Sequence, residues 1–345
     1  MRLARWTQRL CIAGVLLCFV VVVLGAYVRL TAAGLGCPDW PGCYGQLTPN
    51  GAAASVAAQA AYPGRPLEPA KAWHEMIHRY AAGSLVLVIV ALAAIAVATR
   101  RRPLVSLPLA LALVATVLLQ AVLGMLTVTW QLKPLIVTLH LLFGLTTLGL
   151  LWWLTLSLPA GSWNTAALQG PARSIRGGGG APQASARLLT LFGLAALVLQ
   201  LALGGWTSSN YAAIACPDFP TCQNLWWPQP DFRHAFVLWH GLNIDYEGGV
   251  LATPARIAIH LSHRLGALVT TALLTLAALF VLRRRGLSAA RPRAYLLLGA
   301  LLLQLSIGVS MVLKAFPLWL ATAHTAGAAL LLLATLALLR ALSPR

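Results

Sequence analysis

Eight stretches of about 20 apolar residues run through the chain, each long enough to cross the hydrocarbon core of a bilayer. Apolar residues make up 59% of the sequence and charged residues only 9%, whereas soluble domains carry about 25% charged residues. The sequence therefore predicts an all-α integral membrane protein with eight transmembrane helices. The predicted spans are 11–31, 72–99, 104–128, 135–158, 186–208, 255–282, 294–313 and 316–342.

The charged residues are sorted between the two sides of the predicted membrane. The formal net charge is +18 at pH 7, and arginines cluster at the ends of alternate spans. These clusters are Arg2, Arg5 and Arg9; Arg100, Arg101 and Arg102; Arg173, Arg176 and Arg187; Arg283, Arg284, Arg285, Arg291 and Arg293; and Arg340 and Arg345. Because basic residues favour cytoplasmic loops, we predict a multi-pass protein of the bacterial inner membrane with both termini cytoplasmic. The basic excess then reflects topology and contact with membrane lipid, and we expect no nucleic-acid partner.

The two halves of the chain are parallel repeats. The loop Cys-Pro-Asp-Trp-Pro-Gly-Cys at 37–43 recurs as Cys-Pro-Asp-Phe-Pro-Thr-Cys at 216–222, and Leu-Gly at 24–25 recurs at 203–204. The other matched elements are His78-Arg79 with His263-Arg264, Leu119-Gln120 and Gly124 with Leu303-Gln304 and Gly308, and His140 with His324. Each half holds an even number of spans, so both halves have the same orientation.

This repeat predicts two four-helix bundles. The first covers residues 1–159 and the second covers residues 186–345. Between them, residues 160–185 contain a run of four glycines and no apolar periodicity. That composition predicts a flexible cytoplasmic linker.

Four histidines occupy matching depths in the predicted spans. His78, His140, His263 and His324 each lie a turn or two inside a span that enters from the outer side. Two imidazoles on different helices at equal depth are suited to bind both faces of one haem. We therefore predict axial pairs His78–His140 and His263–His324. The alternative is that these are structural histidines satisfied by hydrogen bonds.

Arg79 and Arg264 directly follow two of these histidines, near the outer surface. A guanidinium placed there would pair with a haem propionate, unless the side chain extends to the lipid headgroups. Glu75 lies one helical turn before His78, and its repeat counterpart is His260 (260 − 75 = 185). A carboxylate beside an iron ligand would stabilise a developing cation or take a proton, unless it caps the helix.

Other metal sites are less well supported by the sequence. His74 and His78 share a helix face, and Glu75-x-x-His78 resembles half of a carboxylate-bridged di-iron site. Such a site requires more carboxylates within the spans than the chain contains. Non-haem iron is therefore disfavoured.

The cysteines of the outer loops form two close pairs, Cys37 with Cys43 and Cys216 with Cys222. The compartment outside a bacterial inner membrane is oxidising, so each pair is expected to form a disulfide. A zinc site shared by the four cysteines is the alternative. Whether the pairs are structural staples or redox-active is left open. Cys11 and Cys18 lie inside the first span and are expected to be packing residues.

Taken together, these motifs resemble the haem A synthase family over nearly the whole chain. The resemblance implies oxidation of the C8 methyl of haem O to a formyl group, giving haem A for cytochrome oxidase. It implies a haem b cofactor between His263 and His324, substrate haem O between His78 and His140, and Glu75 as the catalytic carboxylate. It also implies haem O synthase and cytochrome oxidase assembly as partners, together with an electron acceptor that these residues do not specify.

Two other functions compete with this expectation. A dihaem b-type electron carrier would share the histidines but would not need a carboxylate in one half only. A transporter built on the parallel repeat would show broken helices near the midplane, whereas the polar residues of this chain cluster near the outer edge.

Overall fold

A computed structural model describes residues 2–158 and 180–343 of the chain. In those residues the fold is helical, and eight helices are long and apolar enough to cross a membrane. Those eight helices are α1 (Arg2–Leu30), α4 (Pro69–Ala98), α5 (Leu107–Thr129), α6 (Pro134–Ser157), α7 (Gly180–Ser209), α9 (Thr253–Arg283), α10 (Arg291–Leu313) and α11 (Leu318–Leu342). Three short helices lie in the two long loops: α2 (Pro49–Ala54) and α3 (Val56–Ala60) between α1 and α4, and α8 (Phe232–Ala235) between α7 and α9. The all-α prediction with eight membrane-crossing helices is confirmed.

Several helices extend beyond the predicted spans. Helix α1 begins at Arg2 rather than at residue 11, and α7 begins at Gly180 rather than at residue 186. The last part of the predicted linker is therefore helical, and its remainder, 160–179, lies outside the described residues. The apolar run marks only the part of a helix that lipid must cover, whereas backbone hydrogen bonding continues into the charged flanks.

Prolines at helix starts place His78 and His263 at matching depths along their helices. A proline occupies one of the first two positions of α4, α6 and α9 and the N-cap of α11, where a missing N–H costs nothing. His78 follows Pro69 by nine residues (78 − 69), and His263 follows Pro254 by the same interval (263 − 254). At about 1.5 Å per residue, both imidazoles lie roughly 14 Å along their helices.

The membrane-crossing helices pack in two sets of neighbours. In the first half, α1 packs on α4 and α6, and α5 packs on the same two helices. In the second half, α9 and α11 both pack on α7 and on α10. The halves meet where α11 lies against α1 and α6, and where α7 lies against α6. The buried core includes Cys11 and Cys18, which are free thiols, as expected of packing residues.

The long loop between α7 and α9 lies against the first half. Arg65 binds Asp245 at 2.6 Å and Glu247 at 3.0 Å. The backbone N–H of Tyr246 donates to the carbonyl of Gln131 at 3.1 Å. At the ends of the helices, Nη2 of Arg29 donates to the carbonyl of Ser208 at 2.8 Å. These contacts join the halves at the end of the molecule where the histidines lie.

Candidate functional site

His263 on α9 and His324 on α11 face each other across the second half. Their ring centroids are 6.4 Å apart and the rings are inclined at 74°. An imidazole nitrogen binds a transition metal at about 2.0–2.1 Å and lies about 1.1 Å from its ring centre, so two axial rings should have centres about 6.3 Å apart. The observed separation matches an iron held between these two rings.

A glycine on the neighbouring helix faces each of the four histidine rings. A Cβ added at Gly204 would lie 3.2 Å from Cε1 of His263, and one added at Gly308 would lie 2.9 Å from Cε1 of His324. The first half repeats this arrangement. Added Cβ atoms at Gly25 and Gly124 would lie 3.0 and 3.4 Å from Cε1 of the His78 and His140 rings, respectively. A Cβ at Gly308 would force the His324 ring to shift, and one at Gly25 or Gly204 would crowd its ring, whereas one at Gly124 would make ordinary van der Waals contact.

His78 on α4 and His140 on α6 occupy the corresponding positions of the first half. The Nδ1 atoms of both rings are buried and find no hydrogen-bond partner among residues 2–158 and 180–343. A buried polar atom without a partner is costly unless function requires it. Each ring therefore presents a buried nitrogen that is available to a ligand.

Glu75 lies one turn before His78 on α4 and is almost fully buried. Its carboxylate accepts a hydrogen bond from Nε of Arg79 at 2.9 Å, and both side chains are about one-tenth exposed. In the second half His260 takes the place of Glu75. Its Nδ1 lies 3.2 Å from the carbonyl of Ala212, to which it donates. The first half thus has a buried carboxyl group paired with an arginine at a position where the second half has an imidazole bonded to the backbone.

Both loops with paired cysteines have the same structure. Cys37–Cys43 and Cys216–Cys222 are disulfides with Cα–Cα distances of 4.7 and 4.6 Å. Both expected disulfides are present, so the alternative of a shared zinc site is excluded. Each loop has a cis proline, and a short bridge pairs its second cysteine with the residue three positions later.

The aspartate of each loop fixes the turn that follows. Asp39 accepts hydrogen bonds from the backbone N–H groups of Tyr44 and Gly45 at 2.6 and 2.7 Å. In the second loop, desolvation raises the pKa of Asp218. Hydrogen bonds from the Thr221 hydroxyl and from backbone N–H groups lower it, and their combined effect is the larger. The pKa of Asp218 therefore lies below its ordinary value, and the carboxylate stays ionised.

The arginine after each helix histidine holds the loop above it. Nη1 of Arg79 donates to the carbonyls of Asp39, Pro41 and Gly42, the first at 2.9 Å. Arg264 donates to the carbonyl of Thr221 at 2.7 Å and to that of Asp218, also at 2.7 Å. Sequence reasoning expected a propionate or headgroup partner and missed this link between the loop and the histidine helix.

The other histidines have separate contacts of their own. The ring of His74 packs edge-on against Tyr27 with centroids 5.1 Å apart. His234 binds Asp231 at 2.6 Å on the surface, and His240 is exposed. Within the described part of the chain, no group of three or more His, Cys, Asp or Glu residues is arranged to hold a metal ion. The non-haem iron alternative therefore has no site among these residues.

Comparison with known proteins places the chain in a family. The model of the cytochrome oxidase assembly protein family matches residues 8–336. The chain belongs to this family. It is 41% identical over 331 residues to a haem A synthase of Shewanella oneidensis, covering 95% of this chain and 93% of that protein. It is also 31% identical over 170 residues to a haem A synthase of a Methylobacterium species, covering 49% of this chain and 43% of that protein.

The match to the cytochrome oxidase assembly protein family includes both histidine pairs, Glu75 and both disulfide loops. Sequence reasoning missed one set of polar residues in this framework. Gln120, Gln200 and Gln304 place their amides against three of the four paired histidines. The repeat contains a sequence signal for two of these glutamines, because Gln120 and Gln304 stand at matching positions of the two halves.

Proposed function

We propose that this chain is a haem A synthase, which oxidises the C8 methyl of haem O to a formyl group in the inner membrane of a bacterium. The haem A synthase of Shewanella oneidensis, to which the chain is similar, matches over 93% of its length. The site supports the proposal with two histidine pairs, of which one has the ring spacing of a bis-imidazole iron site. One observation distinguishes the proposed substrate half from the proposed cofactor half. The first half has the buried Glu75 at the position where the second half has His260 bonded to the backbone.

The second half is proposed to hold the resident cofactor, haem b, between His263 and His324. The 6.4 Å ring separation, the glycines beside both rings and the neutral imidazole donors suit such a group. Haem b, when bound, supplies one-electron redox chemistry. The protein's part is to present two imidazoles at one depth and to exclude larger side chains from beside them.

The first half is proposed to bind the substrate haem O between His78 and His140. Oxidation of a methyl on a porphyrin builds positive charge at that carbon. The Glu75 carboxylate, buried near His78, would stabilise that charge more in the transition state than in the ground state. With water as the oxygen source, conversion of the methyl to a formyl group releases four electrons and four protons, and the electrons pass to an acceptor outside the chain.

Arg79 and Arg264 are proposed as propionate contacts in addition to their bonds with the loops. Nη2 of Arg79 is buried and lacks a hydrogen-bond partner among the described residues, so a donor is available there. In this arrangement the arginine would tie together the disulfide loop, Glu75 and the edge of the substrate. In this proposal haem O synthase supplies the substrate, and the product is delivered to cytochrome oxidase.

The division into bundles 1–159 and 186–345, with both termini in the cytoplasm, belongs to the same proposal. It is supported by the repeated contacts in the two halves and by the arginines at the ends of alternate helices.

Haem extraction tests the function. The chain is expressed in a host that makes haem O and lacks haem A, and extracted haems are separated by chromatography and identified by mass. The expected result is haem A, absent from a host carrying the empty vector. Unchanged haem O together with two bound b haems would instead establish the dihaem electron carrier.

A further inference from the structure

A glutamine precedes the histidine-facing glycine by one helical turn on three of four helices. The three pairs are Gln120 with Gly124, Gln200 with Gly204, and Gln304 with Gly308. Helix α1 is the exception, because Val21 precedes Gly25 at the same spacing. Val21 and Gln200 are related by the same shift as the disulfide loops (200 − 21 = 179). The two halves therefore differ at the residue that stands beside His78 and His263.

In the second half both histidine rings touch a glutamine amide. Nε2 of Gln200 donates to the backbone carbonyl of His263 at 2.9 Å and lies 3.0 Å from Nδ1 and 3.4 Å from Nε2 of its ring. Nε2 of Gln304 lies 3.3 Å from both ring nitrogens of His324. The amide of Gln200 is thus anchored to the same residue whose ring it touches, so it limits rotation of that ring.

In the first half neither ring has such a contact. Nε2 of Gln120 donates to the backbone carbonyl of His140 at 2.9 Å, and in the described part of the chain Nδ1 of His140 has no partner. Val21 offers the His78 ring no polar side-chain atom. The His78 ring bonds the backbone of Val21, but among the described residues no side-chain amide bonds Nδ1 of either ring in the first half.

The contact at Nδ1 matters because of what iron binding does to an imidazole. When Nε2 binds a metal, Nδ1 carries the ring proton, and a hydrogen-bond acceptor for it fixes the ring and strengthens the ligand. Oε1 of Gln200 is buried and has no partner within residues 2–158 and 180–343. The terminal torsion of glutamine is soft, so the amide can turn Oε1 toward a protonated Nδ1, which exchanges its bond to the His263 carbonyl for a bond to the ring.

We propose that Gln200 is a positioning residue that makes the haem of the second half resident, and that Val21 keeps the site of the first half exchangeable. This inference rests on the proposed function, in which one haem stays bound while the other enters as substrate and leaves as product. A ligand without a partner at Nδ1 binds iron more weakly and releases it faster. One position in the repeat thus separates a cofactor site from a substrate site.

A purely structural role for Gln200 makes a different prediction. Oε1 of Gln200 lies so close to Gly266 that a Cβ added there would be 2.3 Å from it, so the side chain also fills space between α7 and α9. Leucine fills similar space without an acceptor, whereas glutamate keeps the acceptor oxygen. If filling space is its whole role, Gln200→Leu will behave like the wild-type chain.

The first measurement is the rate at which bound haem b passes to an excess of apomyoglobin, followed by absorbance. The second is the set of electron paramagnetic resonance g-values of the oxidised protein. We expect Gln200→Leu to release haem b about 10–100-fold faster, with shifted g-values, and Gln200→Glu to restore slow release. The matched control is Gln183→Leu, which removes an amide bond from the same helix to the Leu342 carbonyl, away from the site. Its release rate should equal that of the wild-type chain.

The reciprocal variant keeps the test decisive if Gln200→Leu does not fold. In cells that make haem O, Val21→Gln should raise the amount of haem O or haem A that copurifies relative to haem b. Wild-type release kinetics in Gln200→Leu, or an unchanged ratio in Val21→Gln, would overturn the inference. A wild-type chain that binds no haem would overturn the proposed function instead.

Discussion

Glu75 and Arg79 form an ion pair one turn apart on α4, with Oε1 and Nε separated by 2.9 Å. The same arginine donates to backbone carbonyls of the Cys37–Cys43 loop. One buried guanidinium therefore connects the disulfide loop to the carboxylate beside His78. In the second half Arg264 holds its loop in the same way but has His260, rather than a carboxylate, at the matching position.

Replacing Glu75 by glutamine should abolish most haem A formation without unfolding the chain. The variant keeps the size of the side chain, and Arg79 retains its bonds to the loop carbonyls, so no buried charge is left without partners. Loss of one charge aimed at the transition state costs about 10²–10³ in rate. Haem extraction should show haem O, with a partly oxidised hydroxymethyl haem if the second oxidation step suffers more.

The matched control for this variant is Glu68→Gln. Glu68 stands at the N-cap of the same helix and pairs with Lys71 on the surface, where such pairs contribute about 0–1 kcal/mol. It should form haem A at the wild-type level. Wild-type haem A from Glu75→Gln would contradict a catalytic role, and loss of haem b would make the role of Glu75 structural.

Removing either imidazole of the second half should remove haem b. His263→Ala and His324→Ala each take away one of the two rings whose centres lie 6.4 Å apart, and a low-spin bis-histidine haem needs both. Reduced-minus-oxidised spectra of the purified variants measure the loss. His240→Ala, at an exposed loop position, serves as the control and should keep the full spectrum. Undiminished low-spin haem b in both core variants would refute the assignment of this pair.

A methyl group added at Gly308 should displace His324. The new Cβ would lie 2.9 Å from Cε1 of the ring, which is closer than van der Waals contact allows, so the imidazole has to move. We expect Gly308→Ala to fold but to bind less haem b. Gly299→Ala is the matched control on the same helix, because no atom lies within 4 Å of its added Cβ. Equal haem content in the two variants would show that the ring position is not set by this glycine.

The proposed topology predicts which loops are accessible from outside the cell. The native disulfide cysteines are buried, so single cysteines are introduced at exposed positions instead. Val56 in α3 is 83% exposed, and Arg101 lies between α4 and α5. A membrane-impermeant maleimide should label Val56→Cys in intact spheroplasts and Arg101→Cys only after lysis. The reverse pattern would invert the topology.

The sequence alone determined the number of membrane-crossing helices and identified the residues of both candidate sites. Apolar runs of this length have one stable form in lipid, because every backbone polar group must be bonded within the helix. The recurrence of His78-Arg79 as His263-Arg264, and of one cysteine loop as the other, predicted which residue types form the candidate sites. Both disulfides followed from the spacing of the cysteines.

Only the tertiary structure decided what those residues touch. Arg79 and Arg264 donate to loop carbonyls that are distant in sequence, and no local pattern specifies such a contact. The same holds for the glutamines, since an amide on α7 meets a histidine on α9 only after the two helices pack. Sequence periodicity reports which face of a helix is apolar. Which side chains meet across two packed faces depends on rotation and depth, and close packing of the whole bundle sets both.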